Sequence, residues 1–553
     1  MPRNAYEKKL DPILNLPQFE KCEIKRKNAK NPIIKEEERI VDILKKLKND
    51  NKISENLYNN LKPVGSQPPR LYGLAKVHKN DCPLRPVLSM PGSPYHKIAQ
   101  QVAKWLSIVP ECKINSNTKD ICNDLKNHKL DTSECLVSFD IVSLYTNVPV
   151  KEAINVCTEL LFKNRIIDGI DKETFKILAE LASCDVILSC HDGYYRQVDG
   201  LAMGSAPAPH LANGWLNSFD TVIKGSSSLY SRYMDDIICL CQKENIDFKL
   251  SEINNLHPSL SFTVEIEKDG SLPFLDMIIY NNKGNLSSGW YRKATDTGLT
   301  LNFLSLAPFK YKKSVVIDLV HRIYRTCSSW HLFDRAIEEA KIILHNNQYP
   351  LSFIEDIINS TLNKILSVDE IQINDANETN EDVDENNSDT VSIDSNAYTG
   401  VMLDKDKFKF FANYRGKPTE KFIQSYYKLN APCKFILTLK KTKNLISTLK
   451  VPVPDMLQSN VVYQITCSRC LSSYVGQTSR HLQQRFREHI GSKGLLKKHF
   501  EECDIFSSED MVKILGKASG EKLMTLEALY IAEINPALNT KDEYRSRTLK
   551  LKF

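Results

Sequence analysis

The sequence predicts a multidomain protein of the α+β class. Its 553 residues exceed what one hydrophobic core usually supports, so we expect roughly three or four domains. Strand-like, helix-like and hairpin-like segments alternate from about residue 63 to residue 280, which is typical of a mixed α+β module. An acidic segment rich in Asn and Ser, from Asp369 to Asn396, separates this module from a second folded region.

Several segments along the chain have distinct patterns. The first is a helical leader, because IVDILKKLKNDNKISENLYNNL has apolar residues at helical spacing. From Val64 to Pro94 the chain is dense in Pro and Gly, which favours short strands and turns. VKEAINVCTELLFKN, which follows Pro149, is typical of an amphipathic helix. The expected bounds are a helical leader at 1–62, a strand and helix region at 63–300, a helical region at 301–366, a disordered acidic linker at 367–397, a connector at 398–458 and a carboxy-terminal module at 459–545.

Charge is distributed unevenly along the chain. The formal net charge is +6, but Asp369 to Asp394 contains ten acidic residues and no Lys or Arg, which leaves +16 on the rest. Such an excess suits a protein that binds phosphate backbones, although a solubilising surface would have the same composition. The amino terminus lacks the apolar core of a signal peptide, no stretch reaches membrane-spanning length, and the fifteen cysteines are scattered. We therefore expect a soluble intracellular protein without a disulfide framework.

Three aspartates predict a metal-dependent site. In LVSFD, strand alternation places Asp140 on the face opposite Val137 and Phe139. Farther along, RYMDDIICLC places Asp235 and Asp236 just before an apolar run, as expected of a hairpin whose second strand is buried. Nucleotidyl transfer uses two divalent cations, and Mg²⁺ prefers carboxylate, water and phosphate oxygens. By itself, an Asp-Asp pair is more often a solvated turn.

The surrounding motifs resemble those of reverse transcriptases. RPVLSMPGSP, SFDIVSLYTNVP, GLAMGSAPAPHLAN, RYMDDII and LPFLDMIIY occur in one fixed order, like the successive fingers and palm motifs of that family. The resemblance is closest to the Penelope-like retroelement polymerases, relatives of telomerase reverse transcriptase, and covers about residues 60–350. It implies a right-hand polymerase with fingers and palm at 63–300 and a thumb-like helical region at 301–366.

The resemblance also implies roles for individual residues. Asp140 and Asp235 would be the main ligands of Mg²⁺ or Mn²⁺, and Asp236 the third carboxylate. Tyr145 would be an aromatic gate against the ribose 2′-OH. Arg85 would contact the triphosphate, and Lys76 is a weaker candidate for a phosphate contact. At Gly204 the backbone would closely approach template or nucleotide. For Lys76 a solvated lysine, and for Gly204 a plain turn glycine, are the alternatives.

The carboxy-terminal module carries a second set of polar residues. Tyr463 lies in the strand-like NVVYQITC and Tyr474 in SYVG, with a short loop between them. The helix-like TSRHLQQRFREH places Arg485 and His489 one turn apart on the same face. Taken singly, such tyrosines are usually core residues and such a helix face is usually solvated.

The ordered set continues with Glu527 in LEALYIAEI and Asn539 in ALN, and it resembles the GIY-YIG endonucleases, small three-stranded α/β domains. Val461 and Val475 depart mildly from the two triplets, where the family has glycine and isoleucine. Phosphodiester hydrolysis needs a metal ligand, a base for water and a cation for developing charge. The resemblance implies that Glu527 holds Mg²⁺ and that Tyr463 or Tyr474 helps to activate water. Arg485 would stabilise the phosphorane, and His489 and Asn539 would support these residues.

Four residues of this module have metal-ligand spacing. Cys467-x-x-Cys470 lies between the two tyrosines, and His499-x-x-x-Cys503 follows the Arg485 helix. Thiolates with an imidazole suit tetrahedral Zn²⁺, and four unrelated buried residues are the alternative. The nuclease of Penelope-like elements carries a comparable zinc knuckle, which usually ends in a second histidine, so Cys503 is a departure that zinc would tolerate.

Together the two resemblances predict a retroelement protein that is both an RNA-directed DNA polymerase and a DNA endonuclease. We expect it to nick chromosomal DNA and extend the freed 3′-hydroxyl on an RNA template, which is target-primed reverse transcription. The expected partners are template RNA, target DNA and deoxynucleoside triphosphates, with no membrane. The expected cofactors are Mg²⁺ or Mn²⁺ at both active sites and structural Zn²⁺. A chromosomal target implies action in the nucleus, with LKKTK at Leu439 to Lys443 a weak import candidate.

Two alternatives to this function remain open. The chain could be a host telomerase-like polymerase whose nuclease is inert or absent, which the complete set of nuclease residues argues against. It could also be a domesticated copy that binds nucleic acid through its basic surface without activity. The three intact carboxylates disfavour that second alternative but do not demonstrate activity.

Overall fold

The computed structural model describes residues 2–22, 31–76, 81–112, 118–163, 169–191, 193–375, 408–413, 425, 433–438, 453–491 and 495–539. The predicted acidic linker beyond Asp375, most of the predicted connector and the LKKTK segment lie outside these residues. Across the described ranges, no helix combines the length and apolar character that a membrane crossing requires.

The leader is mostly helical but also contains a strand. Its elements are α1 (Arg3–Leu14), β1 (Phe19–Lys21), α2 (Pro32–Asn49) and α3 (Glu55–Leu61). Pro32 and the Asn31 side chain, which accepts the Ile33 N–H at 2.9 Å, begin α2. The strand β1 was not predicted, because three residues are too few for a periodic signal.

A five-stranded sheet forms from β1 and two hairpins. The elements that follow the leader are β2 (Arg70–Ala75), β3 (Leu84–Ser89), α4 (His96–Leu106), α5 (Thr118–Asn127), β4 (Glu134–Ile141), α6 (Leu144–Asn147), α7 (Val150–Lys163), α8 (Lys172–Ser183), β5 (Val186–Cys190) and β6 (Gly193–Gln197). The strand order is β1-β6-β5-β2-β3, with β2 and β5 parallel and the other neighbours antiparallel. We call it the fingers sheet, since β2 and β3 come from the predicted fingers region.

The strand β4 belongs to a second, antiparallel sheet, the palm sheet. The next elements are α9 (Ala208–Lys224), β7 (Tyr230–Tyr233), β8 (Asp236–Gln242), α10 (Ile246–Asn254), β9 (Phe262–Ile266), β10 (Ser271–Phe274), β11 (Met277–Asn282) and β12 (Asn285–Trp290). The palm sheet has the order β7-β8-β4-β9, and β10, β11 and β12 form a small sheet of their own. Leu136 packs in one core cluster while Val137 and Phe139 pack in another, which confirms the predicted alternation along β4.

One large core joins the leader to both sheets. Leu14, Ile40 and Leu44 of the leader are buried in the same cluster as Val137 and Phe139 of the palm sheet. Burial of apolar surface is the dominant stabilising contribution in such a core. The leader is therefore packed into the polymerase region rather than standing apart from it.

Three helices follow the sheets and have a core of their own. They are α11 (Phe309–Thr326), α12 (Trp330–Asn346) and α13 (Leu351–Asp375). The helix α13 extends through Asp375, so residues 367–375 are helical where we predicted disordered linker. The acidic composition suggested a linker, but SVDEIQIND contains no Gly or Pro that would end a helix.

The carboxy-terminal region contains two further sheets. The strands β13 (Phe408–Asn413) and β14 (Cys433–Thr438) form a parallel pair. The three-stranded sheet and its helices consist of β15 (Val461–Thr466), β16 (Ser473–Thr478), α14 (Leu482–Gly491), α15 (Leu495–Glu502), β17 (Val512–Lys517) and α16 (Glu521–Ile534). The order β16-β15-β17 is antiparallel, with helices packed on both faces. The prediction of a multidomain α+β protein with a small α/β module is confirmed.

Candidate functional site

The three predicted aspartates meet at one edge of the palm sheet. Asp140 near the end of β4 lies opposite Asp236 at the start of β8. Met234 and Asp235 form the two-residue turn between β7 and β8, and Met234 has a φ of 56°. The N–H of Ile141 donates to the carbonyl oxygen of Asp235 at 3.0 Å, which joins this turn to β4. Strand register therefore brings together carboxylates that are distant in the sequence.

The electrostatics of this edge favour a bound cation. Burial, together with the charges of Asp235 and Asp140, raises the pKa of Asp236 to about 6, while the positive charge of Lys293 lowers this pKa. Carboxylates that repel one another are stabilised by a divalent cation, and hard oxygen ligands fit Mg²⁺. Lys293 was missed as a site residue, because in the sequence it is one of two adjacent basic residues, Arg292 and Lys293, in WYRKATDTGLTLNF.

Tyr145 lies beside the aspartates. Burial, and then the charge of Asp235, raises the pKa of Tyr145 to about 12, so the phenol is neutral near neutral pH. The carbonyl oxygen of Tyr145 accepts the N–H of Leu201 at 2.6 Å, which holds α6 against the loop before α9. A half-buried aromatic ring next to Asp235 suits the predicted gate against a ribose 2′-OH, and this role stays a prediction.

Arg85 and Lys76 lie on the β2–β3 hairpin of the fingers sheet. Arg85 is exposed on β3, opposite Leu74 of β2. Lys76 follows β2 directly, and its backbone N–H donates to the carbonyl oxygen of Pro83 at 2.9 Å. Both cations thus belong to a different sheet from the three aspartates. Their predicted contacts with the triphosphate, which remain untested, would come from the fingers side.

Gly204 makes a close backbone approach to the neighbouring strand β3. Its φ is +113°, and a Cβ at this position would lie 2.3 Å from the carbonyl oxygen of Leu88. The N–H of Leu88 in turn donates to the carbonyl oxygen of Met203 at 2.7 Å. The packing of its loop on β3 is one physical reason for the glycine, and the predicted approach to template or nucleotide stays a prediction. The sequence could not distinguish these, because both require a residue without a side chain.

A buried ion pair supports the turn that carries Asp235. The guanidinium of Arg232 binds both carboxylate oxygens of Asp220, at 2.6 and 2.7 Å, and the Tyr230 hydroxyl donates to the same carboxylate at 2.6 Å. Arg232 also donates to the Asn213 side chain at 2.5 Å and to the Met234 carbonyl oxygen at 3.4 Å. These residues were missed, since the spacing of Asp220 and Arg232 follows no recognised motif.

In the carboxy-terminal module, Tyr463 and His489 form a hydrogen-bonded pair. The Tyr463 hydroxyl and His489 Nε2 are 2.7 Å apart, and the rings of Tyr474 and His489 are in edge contact at 5.1 Å. Burial raises the pKa of Tyr463 well above its usual value, and burial with the charge of Arg485 lowers the pKa of His489 to about 4. Both groups are therefore neutral near neutral pH.

Charged residues surround this pair. The charge of Arg485 lowers the pKa of Tyr463 while that of Glu527 raises it, which places both near the tyrosine. Glu527 is buried, with 7% of its surface exposed. Glu488 accepts hydrogen bonds from Arg485 at 3.1 Å and from Arg480 at 2.8 Å. Glu488 was missed, although its position three residues after Arg485 on one helix face was a usable signal.

Asn539 ties the end of the module to its sheet. Its side-chain oxygen accepts the Val475 N–H at 2.8 Å, and its amide donates to the Val475 carbonyl oxygen at 2.8 Å. Val475 belongs to β16, which also carries Tyr474. The predicted supporting role of Asn539 therefore has a physical basis in this double hydrogen bond.

The four predicted zinc ligands converge. The candidate ligand atoms of Cys467, Cys470, His499 and Cys503 all lie within 4.8 Å of one another. Cys470 Sγ is 3.2 Å from His499 Nε2 and 3.8 Å from Cys503 Sγ. In the described part of the chain, this is the one group of three or more such residues with so close an arrangement. Three thiols and one imidazole fit tetrahedral Zn²⁺.

Family models match three parts of this chain. Residues 77–268 match the model described as reverse transcriptase (RNA-dependent DNA polymerase), and residues 459–542 match the GIY-YIG catalytic domain. Residues 299–359, which begin two residues before the predicted thumb-like region and end within it, match an animal helix-turn-helix domain. None of the curated proteins matches this chain.

Solved polymerase structures are similar to part of the chain. Telomerase from Candida albicans, in complex with a fragment of telomeric RNA, has 12% identity and a TM-score of 0.38, over 57% of this chain and 62% of that chain. A Sicinivirus RNA-dependent RNA polymerase has 9% identity and a TM-score of 0.35, over 56% of this chain and 71% of that one. This chain thus spans less than two thirds of the Candida albicans telomerase.

The two matched families cover both predicted sites. The aspartates and Tyr145 lie within the reverse transcriptase match, and Tyr463, Tyr474, Arg485 and the cluster of three Cys residues and His499 lie within the GIY-YIG match. The chain therefore carries a reverse transcriptase domain followed by a carboxy-terminal GIY-YIG domain, which confirms the two predicted domain families.

Proposed function

We propose that this chain is the RNA-directed DNA polymerase and DNA endonuclease of a Penelope-like retroelement. The observation that supports it most is the meeting of Asp140, Asp235 and Asp236 at one edge of the palm sheet. A carboxylate cluster of this kind, inside a match to reverse transcriptases, suits nucleotidyl transfer. The second domain on the same chain supplies the chemistry that would create a primer.

At the polymerase site, the chain supplies ligands and orientation. The three aspartates would hold two Mg²⁺ or Mn²⁺ ions, which when bound activate the primer hydroxyl and offset triphosphate charge. Tyr145 would exclude a ribose 2′-OH beside Asp235. Arg85 and Lys76 would orient the triphosphate from the fingers sheet, where a guanidinium can bind phosphate in bidentate fashion.

At the nuclease site, neutral His489 would accept a hydrogen bond from the Tyr463 hydroxyl and so fix the orientation of its oxygen. The phenolic oxygen of Tyr463, or that of Tyr474, would accept a hydrogen bond from the attacking water and align it with the scissile phosphate. Glu527 would hold a divalent cation, which when bound polarises the scissile phosphate. Arg485 would stabilise the negative charge that develops on phosphorus oxygens. Zn²⁺ would join the loop after β15 to α15 through the four-ligand cluster.

Both activities together support target-primed reverse transcription. The nuclease domain would nick target DNA, and the polymerase domain would extend the freed 3′-hydroxyl with deoxynucleoside triphosphates on an RNA template. Chromosomal DNA as the target implies that the protein acts in the nucleus.

Primer extension on an RNA template with Mg²⁺ tests the polymerase half of the proposal. Asp235→Asn should lower extension by about 100-fold or more, because one ligand of the catalytic cations loses its charge. Asp247→Asn, an exposed aspartate at the start of α10, is the matched control and should extend normally. Extension that is equal in the wild type and in Asp235→Asn would refute the polymerase assignment.

Nicking of supercoiled plasmid tests the nuclease half. Arg485→Ala and Glu527→Ala should each abolish metal-dependent nicking, while Arg487→Ala, exposed on the same helix, should not. Extension without any nicking would favour a telomerase-like polymerase, and loss of both activities would favour a domesticated copy. Nicking that persists in both nuclease variants would indicate a contaminating nuclease.

A further inference from the structure

A small buried junction joins the nuclease domain to the polymerase region. It consists of Glu37, Gly65 and Ser66 on the polymerase side and Ser459 and His481 on the nuclease side. The His481 Nε2–H donates to the carbonyl oxygen of Ser66 at 2.6 Å, and the Ser459 hydroxyl donates to the carbonyl oxygen of Gly65 at 2.6 Å. The two acceptors are consecutive backbone carbonyls, so one short loop accepts both of these hydrogen bonds.

Glu37 holds this loop from the polymerase side. Its carboxylate accepts the backbone N–H of Gly65 at 3.2 Å and that of Ser66 at 2.6 Å. The same carboxylate lies 3.9 Å from His481 Nδ1. Glu37 is 6% exposed and His481 is fully buried. A buried network of this kind makes a contact specific, because its polar groups lose their partners in any other arrangement.

The backbones of the two regions also approach closely. Gly65 has a φ of +63°, and a Cβ there would lie 2.5 Å from Ser459 Cβ and 2.6 Å from the Ser479 carbonyl oxygen. Only glycine permits this conformation and this separation at once. The contact is therefore complementary in shape as well as in hydrogen bonding.

The junction lies at the start of the helix that carries the nuclease residues. His481 directly precedes α14, and its carbonyl oxygen accepts the Arg485 N–H at 3.2 Å. The Gln484 side chain in the first turn donates to Glu38 of α2 at 3.4 Å. The helix with Arg485 and His489 is thus anchored at one end on the polymerase region.

We infer that this junction docks the nuclease on the polymerase, so that a DNA end made by nicking stays beside the polymerase site for extension. The inference rests on the proposed function for its consequence, but the docking itself is independent of activity. A contact that holds two linked modules together raises the effective concentration of one site's product at the other.

Cutting the chain between its domains tests the docking. A specific protease site inserted after Asn387, within the predicted linker, allows the full-length protein to be cleaved and run on size-exclusion chromatography. The wild-type halves should elute together, and so should those of Glu36→Gln, the matched control. Glu36 lies on the same helix and is 7% exposed, but it pairs with Arg39 of α2.

Two junction variants should separate the halves. His481→Phe removes the hydrogen-bond donor to Ser66. Glu37→Gln weakens the hydrogen bonds that hold the loop of Gly65 and Ser66, without altering the nuclease sequence. Separation of the halves in Glu37→Gln therefore cannot be attributed to a misfolded nuclease. Wild-type halves that separate at once, or variant halves that remain together as firmly as wild type, would overturn the docking inference.

A coupled assay tests the consequence in the uncut protein. Nicking alone and extension of an annealed primer alone should stay within about twofold of wild type in Glu37→Gln, while RNA-templated extension from the protein's own nick should fall by about tenfold or more. Loss of both separate activities in the wild type would refute the proposed function instead. Retention of both, with undiminished coupled product in Glu37→Gln, would refute the coupling alone.

Discussion

The polymerase and nuclease sites are built by different physical means. At the polymerase site three groups of like charge meet, and strand pairing between β4 and β8 places them. Burial, and then the charges of Asp235 and Asp140, raises the pKa of Asp236 to about 6. At the nuclease site polar side chains pair with one another, as Tyr463 does with His489 and Arg485 with Glu488. Backbone geometry places the groups of the first site, and contacts between side chains place those of the second.

The two sites also differ in what supports them. At the polymerase site, the ion pair of Arg232 and Asp220 fixes the segment before Asp235, which lies in the turn between β7 and β8. In the nuclease, the cluster of Cys and His residues joins the loop after β15 to α15. A large core can carry a buried ion pair, whereas a small domain gains more from a structural metal. This difference can be tested by removing each support in turn.

The largest effect should follow from loss of zinc. Structural zinc sites contribute about 10 kcal/mol or more in the smallest domains, and somewhat less where a core exists as well. A zinc-selective chelator in excess Mg²⁺, or Cys503→Ser, should therefore unfold the nuclease and abolish nicking while primer extension continues. Thermal unfolding with both activity assays measures this. Cys327→Ser, outside the cluster, is the control, and equal melting of both variants would show that the cluster adds no stability.

Breaking the ion pair below the turn should have the next largest effect. Arg232→Met leaves Asp220 partly buried without its partner, and such a change typically costs about 3–5 kcal/mol. The loss should appear in the polymerase transition during urea unfolding, with extension reduced and nicking retained. Lys52→Met, which breaks a pair whose side chains are 51% and 46% exposed, is the control and should cost below about 1 kcal/mol. Similar costs for both variants would contradict a supporting role for Arg232.

Gly204→Ala should have an intermediate effect. The substitution combines an unfavourable φ of +113° with a Cβ 2.3 Å from Leu88 oxygen, and should cost about 2–4 kcal/mol. Gly92→Ala separates the two causes, since Gly92 has a φ of +79° but open space around the added Cβ. Urea unfolding should show the smaller loss for Gly92→Ala, about 1 kcal/mol. If the two losses are equal, the contact with Leu88 is not what requires glycine.

The smallest effect should follow from weakening the hydrogen bond between the Arg485 guanidinium and Glu488. Glu488→Gln weakens the charged hydrogen bonds to Arg485 and Arg480, so Arg485 should be less well placed and plasmid nicking should slow by about tenfold. Stability and primer extension should not change. Glu533→Gln, exposed on α16, is the matched control. An unchanged nicking rate in Glu488→Gln would mean that Arg485 is positioned without Glu488.

Features with strong local patterns were predicted well. The alternation in LVSFD placed Asp140 on the correct face, and the turn before Asp236 followed from the apolar run after it. The spacing of Cys467 and Cys470, with His499 and Cys503, predicted a cluster that the structure brings together. Such patterns survive folding because strand alternation and helix period are properties of the backbone itself.

Features that depend on contacts between distant segments were not predicted. The strand β1 pairs with β6, and three residues carry no period. Arg232 with Asp220, and Lys293 near Asp236, have no motif that would single them out. The close packing of Gly204 against Leu88 of β3 was likewise not predicted.

The sequence by itself determined the two domain families, and it singled out the three aspartates and the Cys and His residues that the structure brings together, since each depends on residue types in an ordered pattern. Tertiary structure alone decided how the nuclease rests on the polymerase, because Glu37, Ser66 and His481 are ordinary residues until folding buries them together. The free energy of such a contact comes from desolvation and hydrogen bonding between distant segments, and no local pattern in the chain encodes it.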